Sequence, residues 1–380
     1  MRKPLSLYIH IPFCNSKCVY CSFVSKVGNL SEKARYTANL LEEIRMRAKQ
    51  FNPRYEIATI YIGGGTPSCL PNGTISRILN EVYSRFTVRN QAEITLEVNP
   101  ESVTREKVVE YARAGVNRIS IGLQCAQTSL LSLMGRRHTF EDFERAVSLF
   151  RQSGINNISA DIILGYPYQK QQDVQETLSK LIALDIPHIS AYMLSVEDGT
   201  KLARDLESNN LVLPTEKTTI LMYQNAVKQL EKSGYIRYEV SNFSKIGYRS
   251  KHNQTYWSRG EYLGLGASSH SFVDGVRLAN LDSITQYNLR LEDIKLPVDV
   301  ADKIDQTEAK EEFVMLGLRL KEGIDLAKYQ EQFGEDFLLK NKDKIRDLAK
   351  LGLLILDGDH LRASNAGFLV LNRIILELVS

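Results

Sequence analysis

The sequence predicts an α/β protein, with six strand–helix units wound into a parallel sheet as a partial or full barrel and a smaller α+β domain behind it. Three observations predict it. Short β-branched or aromatic runs alternate with helical segments through the first 240 of 380 residues, the pattern of a parallel sheet covered by helices. Periodicity weakens over residues 241–300, which are rich in Gly, Ser, Asn and Tyr. Helical segments return over 307–350 and lead into a hairpin and a last helix. The expected division is 1–240 for the first domain and 241–380 for the second.

The elements follow in order. LSLYIH (5–10) reads as the first strand, and a cysteine-bearing loop follows it. Residues 31–50 read as a helix started by Ser31. ATIYIGG (58–64) is the second strand, and 74–86 are helical. EITLEVNP (93–100) is the third strand, ended by Asn99 and Pro100, and the helix at 104–114 stops at Gly115. NRISIGLQ (117–124), NISADIILGYP (157–167) and HISAYML (188–194) are the remaining strands, with helices at 139–153, 171–184 and 216–233. In a barrel of this kind the active site is expected at the carboxyl ends of the strands. LGLLILDGDHLRAS (351–364) turns at Asp357–Gly358, a hairpin signal. Helices followed by a hairpin suggest a winged-helix-like second domain.

Composition narrows the function class. Apolar residues make up 43% and charged residues 24%, an ordinary globular balance. A net charge of +3 argues against a nucleic-acid partner. Nothing resembles a transmembrane span, and His10 and Pro12 interrupt the N-terminal apolar run, which excludes a signal peptide. With few thiols, this points to the cytoplasm. GFLVLNRIILELVS, at the C-terminus, carries Asn372, Arg373 and Glu377 and reads as a helix packed on its own domain, not a membrane anchor. Lys340, Lys342, Lys344, Arg346 and Lys350 are mixed with Asp343 and Asp347, as on a solvated helix face.

Cys14, Cys18 and Cys21 lie within eight residues, in a chain with five cysteines. Three thiolates with no evident fourth partner suit a cubane four-iron, four-sulfur cluster with one iron open to a small molecule. A structural zinc site would need a fourth ligand. Cys69 and Cys125 are single and distant, and His10 lies in a strand. Other unusual residues fall at strand ends. Gly63, Gly64 and Gly65 close the second strand and remove side chains, so a ligand can lie on the backbone. Glu97, Gln124 and Asp161 come at the ends of, or within, the third, fourth and fifth strands, where a carboxylate or amide suits a ribose hydroxyl or an ammonium group. Arg136, in MGRRH, can pair with a carboxylate.

These strings carry a resemblance. The C-x-x-x-C-x-x-C spacing resembles that of the radical S-adenosylmethionine (SAM) superfamily. LSLYIHIPFC, YIGGGTPS, ITLEVNP, GVNRISIGLQ, MGRRH and ADIILGYP together resemble its oxygen-independent coproporphyrinogen III oxidase (HemN-like) branch. The resemblance implies a radical SAM core with a partial (β/α)6 barrel over 1–240 and a HemN-like C-terminal domain over 241–380. It implies a four-iron cluster on Cys14, Cys18 and Cys21, with SAM held by Tyr8, Gly64, Gly65, Thr66, Glu97, Gln124, Arg136 and Asp161 and room for a second SAM.

Three features differ from the oxidase. Phe23 stands where it has a further cysteine, the first strand begins near Leu5 without the oxidase's N-terminal extension, and HNQTYW (252–257) is similar to the H-N-x-x-Y-W motif of the HemW heme chaperones. By that likeness the chain would bind heme and pass it to recipient hemoproteins. His252 would offer iron a nitrogen, with His270 as the alternative ligand, and Tyr256 and Trp257 would cover the porphyrin. The bland reading of the motif is a structural turn with His252 hydrogen-bonded. Decarboxylation of coproporphyrinogen III by a 5′-deoxyadenosyl radical is the alternative function. Intact cluster and SAM motifs keep catalysis open.

Overall fold

A computed structural model describes residues 2–379. Six strands form the parallel centre: β1 (Lys3–Ile11), β2 (Tyr55–Gly64), β3 (Val88–Val98), β4 (Arg118–Gln124), β5 (Asn157–Leu164) and β6 (His188–Met193). They pair in sequence order, and β1 and β6 do not pair with each other, so the barrel is partial. Helices cover its outer face. The first, Leu30–Phe51, begins one residue earlier than Ser31 suggests. Asn29 is its N-cap, in a capping box with Glu32, because the Asn29 side chain accepts from the Glu32 N–H at 2.9 Å and Glu32 accepts from the Asn29 N–H in return.

The strands alternate in a way that positions the site. In β1 the apolar Leu5, Leu7, Ile9 and Ile11 are fully buried against the helices. Burial of each such side chain contributes about 1.5–3 kcal/mol. The intervening Ser6, Tyr8 and His10 share the opposite face. Register carries that face across the sheet: Ser6 lies beside Thr59, Thr59 beside Glu93, Glu97 beside Ser120, Gly122 beside Asp161 and Ser159 beside His188. The barrel lumen is therefore polar, and its side chains hydrogen-bond one another.

The division between domains falls later than residue 240. Strands Tyr262–Leu265, His270–Val273, Val276–Asn280 and Val298–Lys303 extend the sheet beyond β1, and Asn242–Ser244 extends it beyond β6. Glu43, fully buried on the first helix, accepts from the Gly266 N–H, the Asn280 amide and the Tyr287 hydroxyl, each at 2.7 Å, with the Arg47 guanidinium 3.9 Å away. These bonds lock residues 266–287 to the barrel. Long-range pairing with weak sequence periodicity is what disguised them as a separate domain. The second core is built from residues beyond 304. It has helices including Gln306–Gly317, a small antiparallel sheet (Ile324–Asp325, His360–Ala363, Leu354–Asp357), and the helix Leu371–Val379, whose Leu371, Ile374, Ile375 and Leu378 are buried. No helix among the described residues is long and apolar enough to cross a membrane.

Candidate functional site

The loop after β1 is tied down on several sides. The carbonyl of Val24 can only accept, so His10 Nε2 donates to it (3.0 Å) and His10 Nδ1 accepts from the Tyr8 hydroxyl (3.0 Å). Burial lowers the His10 pKa, which keeps the ring neutral. His10 is thus an anchor and leaves no nitrogen for a metal. Phe13, fully buried, packs edge-on against Tyr36 at 5.5 Å. The Gly65 and Thr66 N–H groups donate to Ile11 and Phe13 carbonyls at 2.9 and 2.7 Å, and the Val19 N–H to Met134 O at 3.1 Å.

Held in this way, Cys14, Cys18 and Cys21 line one cavity of about 370 Å³ at the carboxyl end of the barrel. Gly64, Gly65, Thr66, Glu97, Gln124, Arg136 and Asp161 line the same cavity. Of the residues that the resemblance implies for SAM, only Tyr8 is absent from the lining; it sits behind, its ring 6.2 Å from that of Tyr61, which does line the cavity. Cys69 and Cys125 do not line it. Cys125 is fully buried in an apolar cluster with Leu130, Met134 and Tyr166, where burial pushes its thiol up to about 12.

The glycine run has a different reason from the one its sequence suggests. A Cβ on Gly63 would sit 2.8 Å from the Glu97 carboxyl carbon, one on Gly64 would meet the His10 ring at 2.4 Å, and one on Gly65 the Phe13 carbonyl at 2.6 Å. Gly64 also has φ +109°, a conformation side chains disfavour. The run lets the chain's own groups approach, and Gly64 and Gly65 present what remains to the cavity.

Glu97 accepts from the Tyr61 hydroxyl (2.7 Å) and the Gly64 N–H (3.1 Å). Burial, more than the nearby Asp161 charge, pushes its carboxyl up to about 7. Asp161 accepts from Ser120 (2.9 Å) and Ser159 (3.2 Å), and burial raises it as well. Thr66 donates to Cys14 Sγ (3.5 Å), Asn99 donates to Thr66 (3.2 Å), Arg136 donates to Asn99 (2.6 Å) and to the Tyr20 hydroxyl (3.1 Å). This chain of bonds joins the cysteine loop to Arg136. Arg136 Nε is buried without a protein partner.

These features fit the implied groups. Among the described residues no three His, Cys, Asp or Glu side chains surround a point that a single ion would occupy. A cubane cluster asks something else, because each cysteine binds a different iron. The unpartnered Arg136 Nε offers a donor to a carboxylate, and Glu97 and Asp161 offer acceptors to ammonium or hydroxyl groups. Tyr61, Asn99, Ser120 and Tyr192 also line the cavity and escape the motif-based reading. Their signal was the alternation of polar residues along the strands, as in T-I-Y-I-G, E-V-N, R-I-S-I-G and S-A-Y.

HNQTYW lies elsewhere. It forms the helix Lys251–Trp257, whose first N–H groups donate to Glu93 Oε2 and Oε1 at 3.1 and 3.0 Å. His252 is buried in the lumen beneath Tyr61, ring centroids 5.1 Å apart. Its Nδ1 bonds Thr59 Oγ1 and its Nε2 the Tyr256 hydroxyl, both at 2.8 Å. Burial lowers its pKa to about 3. Both nitrogens of His252, one of which was expected to face heme iron, are thus engaged by hydroxyl groups of the chain. Tyr256 packs edge-on against Tyr262, ring centroids 4.7 Å apart. His270 is exposed on its strand.

A partial parallel barrel with three cysteines lining a cavity at the carboxyl ends of its strands is the arrangement expected of a radical SAM protein. The model of the radical SAM superfamily matches residues 8–181, and that of the HemN C-terminal domain matches residues 304–370. The chain is 33% identical to the heme chaperone HemW of Lactococcus lactis, over 97% of this chain and 95% of that protein, and 37% identical to that of Escherichia coli, over 72% of each. It belongs to the HemW family of radical SAM proteins. The Escherichia coli coproporphyrinogen III oxidase HemN shares the fold, with a TM-score of 0.88 at 23% identity, covering 100% of this chain and 91% of that one.

Proposed function

We propose that this protein is a cytoplasmic heme chaperone that binds heme and transfers it to recipient hemoproteins, with a four-iron cluster on Cys14, Cys18 and Cys21 and SAM in the barrel cavity. The observation that carries this reading is the match along nearly the whole chain to relatives named heme chaperones, 33% identical over 97% of its length. Phe23, 64% exposed at the cavity rim, supports it, since by the resemblance the oxidase has a cysteine there. When bound, the reduced cluster would supply an electron to SAM at its open iron. The chain's own residues would orient SAM: Arg136 through its free Nε, Asp161 and Glu97 through their carboxyl oxygens, and Gly64 and Gly65 by leaving the backbone accessible.

The test is direct. Anaerobically reconstituted protein is mixed with hemin, and separately with coproporphyrinogen III, SAM and a reductant. A stable heme complex that releases heme to an apo-hemoprotein, without porphyrinogen turnover, is the expected result. Decarboxylation of the porphyrinogen would overturn the reading in favour of the oxidase, which the complete cavity leaves chemically feasible.

A further inference from the structure

Heme binding needs a seat, and the lumen does not offer one at His252. The six histidines narrow the choice. His10, His188 and His252 are hydrogen-bonded at both ring nitrogens. His138 is buried with Nε2 on the Leu123 carbonyl (3.1 Å) and Nδ1 3.4 Å from Glu101. His270 is exposed on a sheet strand. Like His270, His360 forms no imidazole hydrogen bond among the described residues, but it is half-buried, at the start of the strand His360–Ala363, and lines a crevice.

His360 lines a crevice of about 360 Å³ between the helix Lys251–Trp257 and the C-terminal domain. The volume lies within the range of small-molecule pockets, which favour domain junctions. Its walls carry two aromatic rings, Trp257 from the barrel side and Phe313 from the C-terminal domain. The indole N–H of Trp257 is buried without a partner. Arg249 and Lys328 stand at opposite sides of the junction. Arg249 pairs with Glu322 at 2.7 Å and Lys328 with Asp325 at 3.3 Å; Arg249, Glu322 and Lys328 are solvent-exposed and Asp325 partly so. Such pairs are weak and can be exchanged for the carboxylates of a ligand.

We propose that this crevice is the porphyrin site, with the His360 imidazole as axial ligand to the iron, Trp257 and Phe313 against the macrocycle, and Arg249 and Lys328 facing its carboxylates. The proposal rests on the heme-binding reading above and names its site. It gives Trp257, the last residue of HNQTYW, a ligand-facing role, and leaves His252 as the residue that seats the helix. A crevice of this size takes one edge of the porphyrin and leaves the rest exposed, which suits a carrier that must release its cargo.

Hemin is titrated into the reconstituted full chain and into His360→Ala, His360→Tyr and Lys328→Glu at equal cluster content. Wild type should bind with the electron paramagnetic resonance and resonance Raman signature of a nitrogen-ligated heme. His360→Ala should lose that signature and bind on the order of tenfold or more weakly, with iron content and urea midpoint unchanged. His360→Tyr should retain binding with a phenolate-type spectrum, and Lys328→Glu should weaken it about threefold. Wild-type binding with unchanged affinity and spectrum in His360→Ala overturns the site while leaving the chaperone reading intact. Failure of wild type itself to bind hemin overturns both.

Discussion

Replacing His252 by alanine removes an imidazole that is 1% exposed and bonded at both nitrogens. Two net hydrogen bonds are lost, about 0.5–1.5 kcal/mol each. Thr59 keeps its bond to Ser6 at 2.8 Å, whereas Tyr256 has no second partner for its hydroxyl. A void also opens beneath Tyr61, and truncating a buried ring to alanine costs about 3–5 kcal/mol in all. The expected loss is therefore on the order of 3–5 kcal/mol of barrel stability. Urea unfolding followed by fluorescence of Trp257, the only tryptophan in the chain, measures it. Hemin affinity of the folded variant should stay within about threefold of wild type, because His252 faces the lumen and not the crevice. An unchanged urea midpoint together with lost hemin binding would refute the reasoning and return His252 to the iron.

Three further outcomes follow from the site. Cys14→Ala, Cys18→Ala or Cys21→Ala should abolish normal cluster assembly, while Cys69→Ala and Cys125→Ala should retain full iron content by chemical analysis. Gly64→Ala should reduce cluster loading as well as SAM binding, because the new methyl meets the ring of His10 that anchors the cysteine loop; normal iron content with impaired SAM binding would show that the loop tolerates it. Glu97, with a folded-state carboxyl near 7 against an ordinary 4.5, holds a proton that the unfolded chain releases, so its contribution is present below about pH 4.5 and is lost as pH rises through 7. Buried His188 and His252 act in the opposite sense below about pH 6.5, so wild type is compared with Glu97→Gln between about pH 6.5 and 8, where wild type should lose stability relative to the variant; parallel curves would contradict the shift.

The barrel was legible because each parallel strand is a short apolar run followed by a helix, a local pattern that needs no knowledge of contacts. The cysteine triplet was legible for the same reason: its three thiols are close in sequence. Most of the cavity lining could be placed from strand ends, since a parallel sheet puts all its carboxyl ends on one side. Tyr8 lies three residues before the end of β1, and only register shows that Tyr61, which lines the cavity, stands beside it. The role of the glycines was equally hidden, since it depends on Glu97 and His10, which other parts of the strands supply.

By itself, then, the sequence determined the fold class and which cysteines and strand-end residues meet at one cavity. Tertiary structure alone decided where the domains divide, because Glu43 recruits Gly266, Asn280 and Tyr287 from more than 200 residues away and no local period records such a bond. It alone decided the state of each histidine. Whether an imidazole is a ligand or a satisfied core group depends on what meets its two nitrogens, and for His252 those partners are Thr59, distant in sequence, and Tyr256, one helical turn on. His360 carries no motif, and only the meeting of two domains brings it to the same crevice as Trp257.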